Sequence, residues 1–180
     1  MTGFVFPDLL DGPTFQLRPL TEADLPDLQR AASDPGIWAG HPSRDRHKPE
    51  VFADYGRFLL HSGGTLVVRD RALDRIVGCS RFYVAEDAPQ DVAIGFTFLA
   101  RAYWGGPGNH EIKTLMLTHA FAHVDRVWFH IDPTNIRSQK ATRKLGAVHT
   151  GDPVLDLAGT PVTWQQYRLS KADWHSGRDT

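Results

Sequence analysis

The turn Tyr103-Trp104-Gly105-Gly106-Pro107-Gly108-Asn109-His110-Glu111 lies between an apolar run and a segment of helical period. A helix start leaves its first backbone N–H groups unpaired and carries the positive end of the helix dipole, so a phosphate is welcome there. Gly105, Gly106 and Gly108 let the backbone approach a ligand closely. A plain glycine-rich turn before a helix has the same composition. Further on, Asn135-Ile136-Arg137-Ser138 opens a second helix. Asp132, Thr134 or Asn135 can cap it, and Ser138 falls in its first turn.

Other groups are less specific. His119 and His123 stand four apart on one helix, a spacing that can ligate a metal. The zinc-hydrolase pattern needs a glutamate directly after the first histidine, and Ala120 stands there instead. The pair His110-Glu111 has no histidine at position 114. These histidines read as surface or half-buried residues, and no metal is expected. His130 falls on a strand, where it faces either a ligand or the packing. Cys79 sits mid-strand among apolar residues and reads as core.

The elements that must position these groups follow from periodicity. Phe15 to Leu20 alternates as a first strand, and Thr21 with Asp24 makes a capping-box-like start to a helix reaching about Ala32. Trp38 to Pro49 reads as loop. Phe52, Tyr55, Phe58 and Leu59 recur at helical spacing over residues 50–61. Strands over 65–69, 75–83 and 91–99 form an antiparallel meander. The glycine-rich turn then opens a helix to about residue 124. A strand over 126–131, a helix over 135–145 stopped by Gly146, and strands over 151–157 and 163–169 complete the chain. This is an α+β (mixed α/β) domain on one central sheet, a single domain over 1–180 with its core at about 15–174. The tail over 176–180 is expected to fray.

Phe96-Thr97-Phe98-Leu99, Trp104-Gly105, Glu111, the helix over 115–121, Arg126-Val127-Trp128-Phe129-His130-Ile131, Asn135-Ile136-Arg137-Ser138, Leu145-Gly146-Ala147 and Gly151 occur in this order. Together they resemble the second half of a GNAT-superfamily N-acetyltransferase of the ribosomal-protein-alanine acetyltransferase (RimJ/RimL-like) type. Leu17-Arg18-Pro19-Leu20-Thr21-Glu22-Ala23-Asp24 and Ile76-Val77-Gly78 are similar to the first half of the same group. The resemblance implies a mostly antiparallel sheet with a splayed parallel pair, flanked by helices, and acetyl-CoA as co-substrate. It implies that the pantetheine arm pairs with backbone around Phe98 and Leu99. The pyrophosphate would sit on amides from Gly105 through Gly106, Gly108 and Asn109 to His110. Asn135 would bond the arm or nearby backbone, and Ser138 would lie near the sulfur as proton donor to the leaving thiolate. Trp38, His41 and Tyr55 fall where the acceptor pocket is implied, with core packing of Trp38 and Tyr55 the equal alternative.

Two positions depart from the group's pattern. Pro107 replaces the second glycine of Trp-Gly-x-Gly and removes one N–H, though proline suits a helix's first turn. Ala93 stands where a glutamate is common, so a base must come from Asp91, from the loop over 38–47 or from bulk water. The implied activity is acetyl transfer to a primary amine, on a small molecule or a protein N-terminus. The alternative is a protein of this fold that binds acyl-CoA or another ligand as a sensor, without catalysis.

The 180 residues carry a formal net charge of −1, which supplies no basic face for nucleic acid or an acidic membrane surface. No apolar run approaches a bilayer span, no signal peptide is visible and the one cysteine suits a reducing compartment, so a cytoplasmic location is expected. Exposed edge strands would permit a homodimer.

Overall fold

The computed structural model describes residues 3–176. Ten strands and six α-helices follow in order. They are β1 (Leu10–Asp11), β2 (Phe15–Pro19), α1 (Leu25–Ala31), α2 (Pro35–Trp38), α3 (Pro49–His61), β3 (Thr65–Asp70), β4 (Arg75–Tyr83) and β5 (Val92–Leu99). Then come α4 (Gly108–Ala120), β6 (Arg126–Ile131), α5 (Ile136–Lys144), β7 (Val148–Gly151), β8 (Val154–Asp156), β9 (Pro161–Thr163), β10 (Gln165–Ser170) and α6 (Lys171–Ser176). Eight strands form one sheet in the order β1-β2-β3-β4-β5-β6-β10-β7, and β8 and β9 make a separate hairpin. All neighbours are antiparallel except β5 and β6.

The sheet is covered on both faces. On one, α4 buries Ile112, Met116, Leu117 and Ala120 against Leu17, Leu66, Val68 and Phe82. On the other, α3 buries Phe52, Tyr55 and Leu59 with Leu28, Trp38, Cys79 and Phe98. The helical spacing in each case is what puts one apolar stripe toward the sheet.

Thr21 and Asp24 form the expected capping box, and Arg18 completes it with two 2.7 Å bonds to the Asp24 carboxylate. The box opens a 3-10 turn that leads into α1. Gly146, at φ 93°, ends α5 as expected. Four expectations need correction. Residues 38–49 are not simple loop: α2 ends there, capped by Asp34, and a 3-10 turn spans Arg44–His47. The strand expected over 151–157 is two, β7 pairing with β10 and β8 with β9, because the chain turns at Asp152 and Pro153. The helix expected to reach residue 124 stops at Ala120. The last helix, α6, begins where the periodicity gives no element; residues 177–180 of the anticipated tail lie outside the described residues.

Candidate active site

The parallel pair β5 and β6 is joined at only two positions, Val92 with Val127 and Ala93 with Trp128. Beyond them the strands diverge, so the edge of residues 94–99 that faces β6 has no strand partner. A bulge sharpens this divergence. Between the pairs Cys79–Phe98 and Arg81–Gly95, β5 carries one residue more than β4, and Phe96 takes φ 52° to absorb it. Positive φ in a phenylalanine is strained, and such strain persists only where surrounding packing holds it. Thr97, in mid-strand, is exposed. A wedge-shaped gap is therefore open in the middle of the sheet.

The wide end of the gap is closed by the glycine-rich turn and α4. Trp104 Nε1 donates to the Leu99 carbonyl at 2.9 Å. Tyr103 donates to Asp70 Oδ2 at 2.6 Å, and Glu111 Oε1 accepts from the N–H groups of Thr14 and Phe15 at 2.8 and 2.9 Å. These bonds fix the helix start against β2 and β3. Gly105 has φ 70°, and a Cβ on Gly105 or Gly106 would meet nothing within 4 Å, so the turn is open to solvent and to a ligand. Pro107 precedes the first residue of α4 rather than interrupting it. The N–H groups of Gly108, Asn109 and His110 are then the free first-turn donors.

On the far side of the gap, Asn135 caps α5, its Oδ1 accepting from Ser138 N at 3.2 Å. Ser138 is half-buried. Arg137 bridges the two halves: its guanidinium lies 3.7 Å from the Trp104 ring centre and donates to the Ile37 carbonyl at 3.2 Å. Trp104 thus ties Leu99 to the start of α5.

The residues named for the acceptor side divide. Trp38 is 2% exposed, with Nε1 donating to the Ala32 carbonyl at 2.8 Å. Tyr55 is buried beside it, and burial pushes its phenol well above the usual range. Both are packed in the apolar cluster. His41 is half-exposed and accepts Ser43 N–H at Nδ1, 2.9 Å away. Burial, and then the charges of Arg46 and Arg137, push it down to about 4, so it is neutral near pH 7. Asp91 sits at the closed end of the wedge, holding Trp128 Nε1 and Arg126 Nε at 2.9 and 3.0 Å. Cys79 is fully buried and its thiol is pushed up to about 12 by desolvation. His119 Nε2 lies 2.7 Å from the Val5 carbonyl. Among the described residues no group of three or more His, Cys, Asp or Glu could hold a metal, and no helix is long and apolar enough to cross a membrane.

Two features were not legible in the sequence. Lys113, in the helical stripe of α4, is buried with its Nζ 3.0 Å from Thr97 Oγ1, which itself lies 2.7 Å from Ser80 Oγ. Desolvation pushes the lysine down to about 8. On the opposite face of the gap, Tyr83 Oη and His130 Nδ1 are 2.8 Å apart. Partners from strands distant in sequence make both arrangements, so only the topology reveals them.

A parallel strand pair that parts after two residues, with a helix start beside it, is the distinguishing feature of this sheet. The chain matches the acetyltransferase (GNAT) domain over residues 14–148 and belongs to that family. A structure assigned as an acetyltransferase from T. thermophilus is 27% identical, with TM-score 0.73, covering 98% of this chain and 96% of that one. A GCN5-related N-acetyltransferase from Brucella melitensis shares the fold at TM-score 0.77 and 16% identity, covering 99% and 86%. Mycobacterium smegmatis RimJ, solved with CoA-disulfide, shares it at TM-score 0.61 and 18% identity, covering 88% and 82%. The GNAT resemblance read from the sequence agrees with the family match. No curated protein matches the chain.

Proposed function

We propose that the chain is an N-acetyltransferase that moves an acetyl group from acetyl-CoA to a primary amine, on a small molecule or a protein N-terminus, by direct attack. The observation that carries this reading is the wedge between β5 and β6, with its unpaired edge over 94–99 and the α4 amides at its mouth. The residues fit such a co-substrate: the open glycines admit a pyrophosphate beside the amides from Gly105 to His110, including Gly106, Gly108 and Asn109. Phe98 and Leu99 offer backbone to an amide-bearing arm. Asn135, with its Nδ2 uncommitted to the cap, reaches toward the same arm.

When bound, acetyl-CoA supplies a thioester carbonyl for the amine to attack. A backbone N–H on the bulged strand stabilises the charge that develops on its oxygen. Ser138 donates its hydroxyl proton toward the leaving sulfur. His41 faces the acceptor, and Trp38 and Tyr55 hold the loop that carries it. The acceptor amine arrives from the α3 face, and a cytoplasmic setting with acetyl-CoA at hand suits the reaction. Nothing in this scheme calls for a metal, a nucleic acid or a membrane. The exposed edge β7 is where a second copy would pair. Ala93, buried and paired with Trp128, favours a second reading in which the fold binds acyl-CoA as a sensor.

Thiol release from acetyl-CoA, followed across a panel of amines and short peptides with free N-termini, tests the choice. Turnover supports the transferase. Binding without turnover on any acceptor supports the sensor.

A further inference from the structure

Ala93 removes the carboxylate that could accept a proton, and Asp91 is committed to Trp128 and Arg126 at the closed end of the gap. A transferase of this design still needs a proton acceptor where the amine attacks. The arm's direction fixes that place. Its phosphates sit at the α4 start, just past Leu99, so its reactive end lies toward the narrow end of the wedge, near Gly95 and Phe96.

Two buried polar side chains flank that end. Tyr83 pairs with Ala93 in the sheet, and a Cβ on Gly95 would stand 3.3 Å from the Tyr83 hydroxyl oxygen. His130 lies two residues beyond Trp128, where β6 has left β5. Both are more than nine-tenths buried, and Tyr83 Oη and His130 Nδ1 are 2.8 Å apart. Phe96 and Trp128 surround the pair with apolar surface. The charged and polar groups that face it are Arg81 on β4, 5.4 Å from the Tyr83 ring, Gln166 on β10, 3.4 Å from His130 Nε2, and Asp87, which Gln166 binds. Gln166 Nε2 can only donate, so a bond to His130 Nε2 would place the ring proton on Nδ1. At 3.4 Å that bond is weak beside the 2.8 Å contact at Nδ1, and Nδ1 accepting from Tyr83 is the assignment proposed next.

We propose that Tyr83 and His130 are the proton-accepting pair of the transfer, Tyr83 contacting the attacking nitrogen and His130 receiving the proton through it. This rests on the transferase reading above. As the nitrogen lone pair forms the C–N bond, the C–S bond breaks with its electrons on sulfur. The nitrogen's proton passes to Tyr83 Oη while the Tyr83 proton passes to His130 Nδ1. His130 then returns its proton to solvent and the thiolate takes one up. Burial keeps His130 below the ordinary histidine range, the Asp87 charge opposing this, so the imidazole is neutral and ready near pH 7.

The test compares wild type, Tyr83→Phe and His130→Gln, using acetyl-CoA with dipeptides bearing free alanine and serine N-termini and with tyramine. Thiol release is followed from pH 5 to 9, acetyl-CoA affinity by calorimetry, and the imidazole by nitrogen-15 NMR. The pair predicts an Nε2–H tautomer for His130. It also predicts an acid limb in wild-type kcat/KM that His130→Gln abolishes, and a fall in kcat of about 10²-fold in both variants. KM and acetyl-CoA affinity stay within about threefold, the scale of a removed acid–base group rather than a lost binding contact. If His130→Gln does not fold, Tyr83→Phe, which keeps the ring, decides the matter alone. An Nδ1–H tautomer, or variants with wild-type kcat and pH profile, overturns the pair while leaving the transferase standing. No thiol release by wild type on any probe overturns both.

Discussion

Lys113 and Thr97 meet across the floor of the gap, the ammonium nitrogen 3.0 Å from the hydroxyl oxygen, with no carboxylate partner for the lysine among the described residues. The amine comes from a buried helix face and the hydroxyl from an exposed mid-strand position, so the bond marks where the splayed strands let solvent into the sheet.

That burial has a pH signature. A lysine pushed down to about 8 is disfavoured in its charged form, so its penalty is complete below pH 8. Between pH 8 and its unfolded value near 10.5, the folded chain releases the proton first and the penalty is relieved. Relative to Lys113→Met, the wild type is expected to gain roughly 3 kcal/mol of stability across that window. Urea unfolding of both proteins at several pH values measures it. Parallel curves would contradict the burial.

Asp24 gives the opposite slope. Its carboxyl is held at about 2, first by the Arg18 bond, with burial opposing and Thr21 adding its bonds. A depressed carboxylate stabilises the fold above its unfolded value near 3.8, and the benefit is lost as pH falls toward 2. Asp24→Asn is expected to cost about 1 kcal/mol at pH 7, the scale of a helix-start hydrogen bond, and progressively less as pH falls through 2. Denaturant titrations at the two ends of that range give the difference.

Asn135→Ala separates two roles. The side chain caps α5 through Ser138 N, so its loss should cost about 1 kcal/mol in the free protein. If Asn135 also bonds the pantetheine arm, acetyl-CoA raises the melting temperature of the variant less than that of wild type. Equal ligand-induced shifts would leave only the cap.

How much of this was legible in the sequence depends on where the information lies. The strands Arg75–Tyr83 and Arg126–Ile131 run as read: Arg126–Ile131 is a nearly continuous β-branched and aromatic run, and Arg75–Tyr83 carries Ile76, Val77, Phe82 and Tyr83 at its two ends. The Thr21–Asp24 box, the Gly146 stop and the helix opened after Asn135 are short-range signals, and they hold. β1 has two residues and α2 four, too few for any period to register. The bulge at Phe96 is invisible because it arises from register against β4. Lys113 reads as an ordinary charge on a helix until Thr97 and Ser80 are placed beneath it. Tyr83 and His130 are 47 residues apart, and their bond exists only because β5 intervenes and then departs.

The central claim is that a phosphate-bearing ligand sits on the turn before α4, and Gly106 tests it most directly. A side chain there meets nothing within 4 Å, and the backbone is not in the left-handed region, so Gly106→Asp should fold like wild type. Its carboxylate would stand beside the α4 amides where the pyrophosphate is placed. Calorimetry with acetyl-CoA should then give micromolar binding to wild type and a loss of at least about tenfold in Gly106→Asp, the scale of one like-charge contact at a partly screened site. Equal affinity in the two folded proteins, or no binding by wild type, would contradict the placement of the ligand in this cleft.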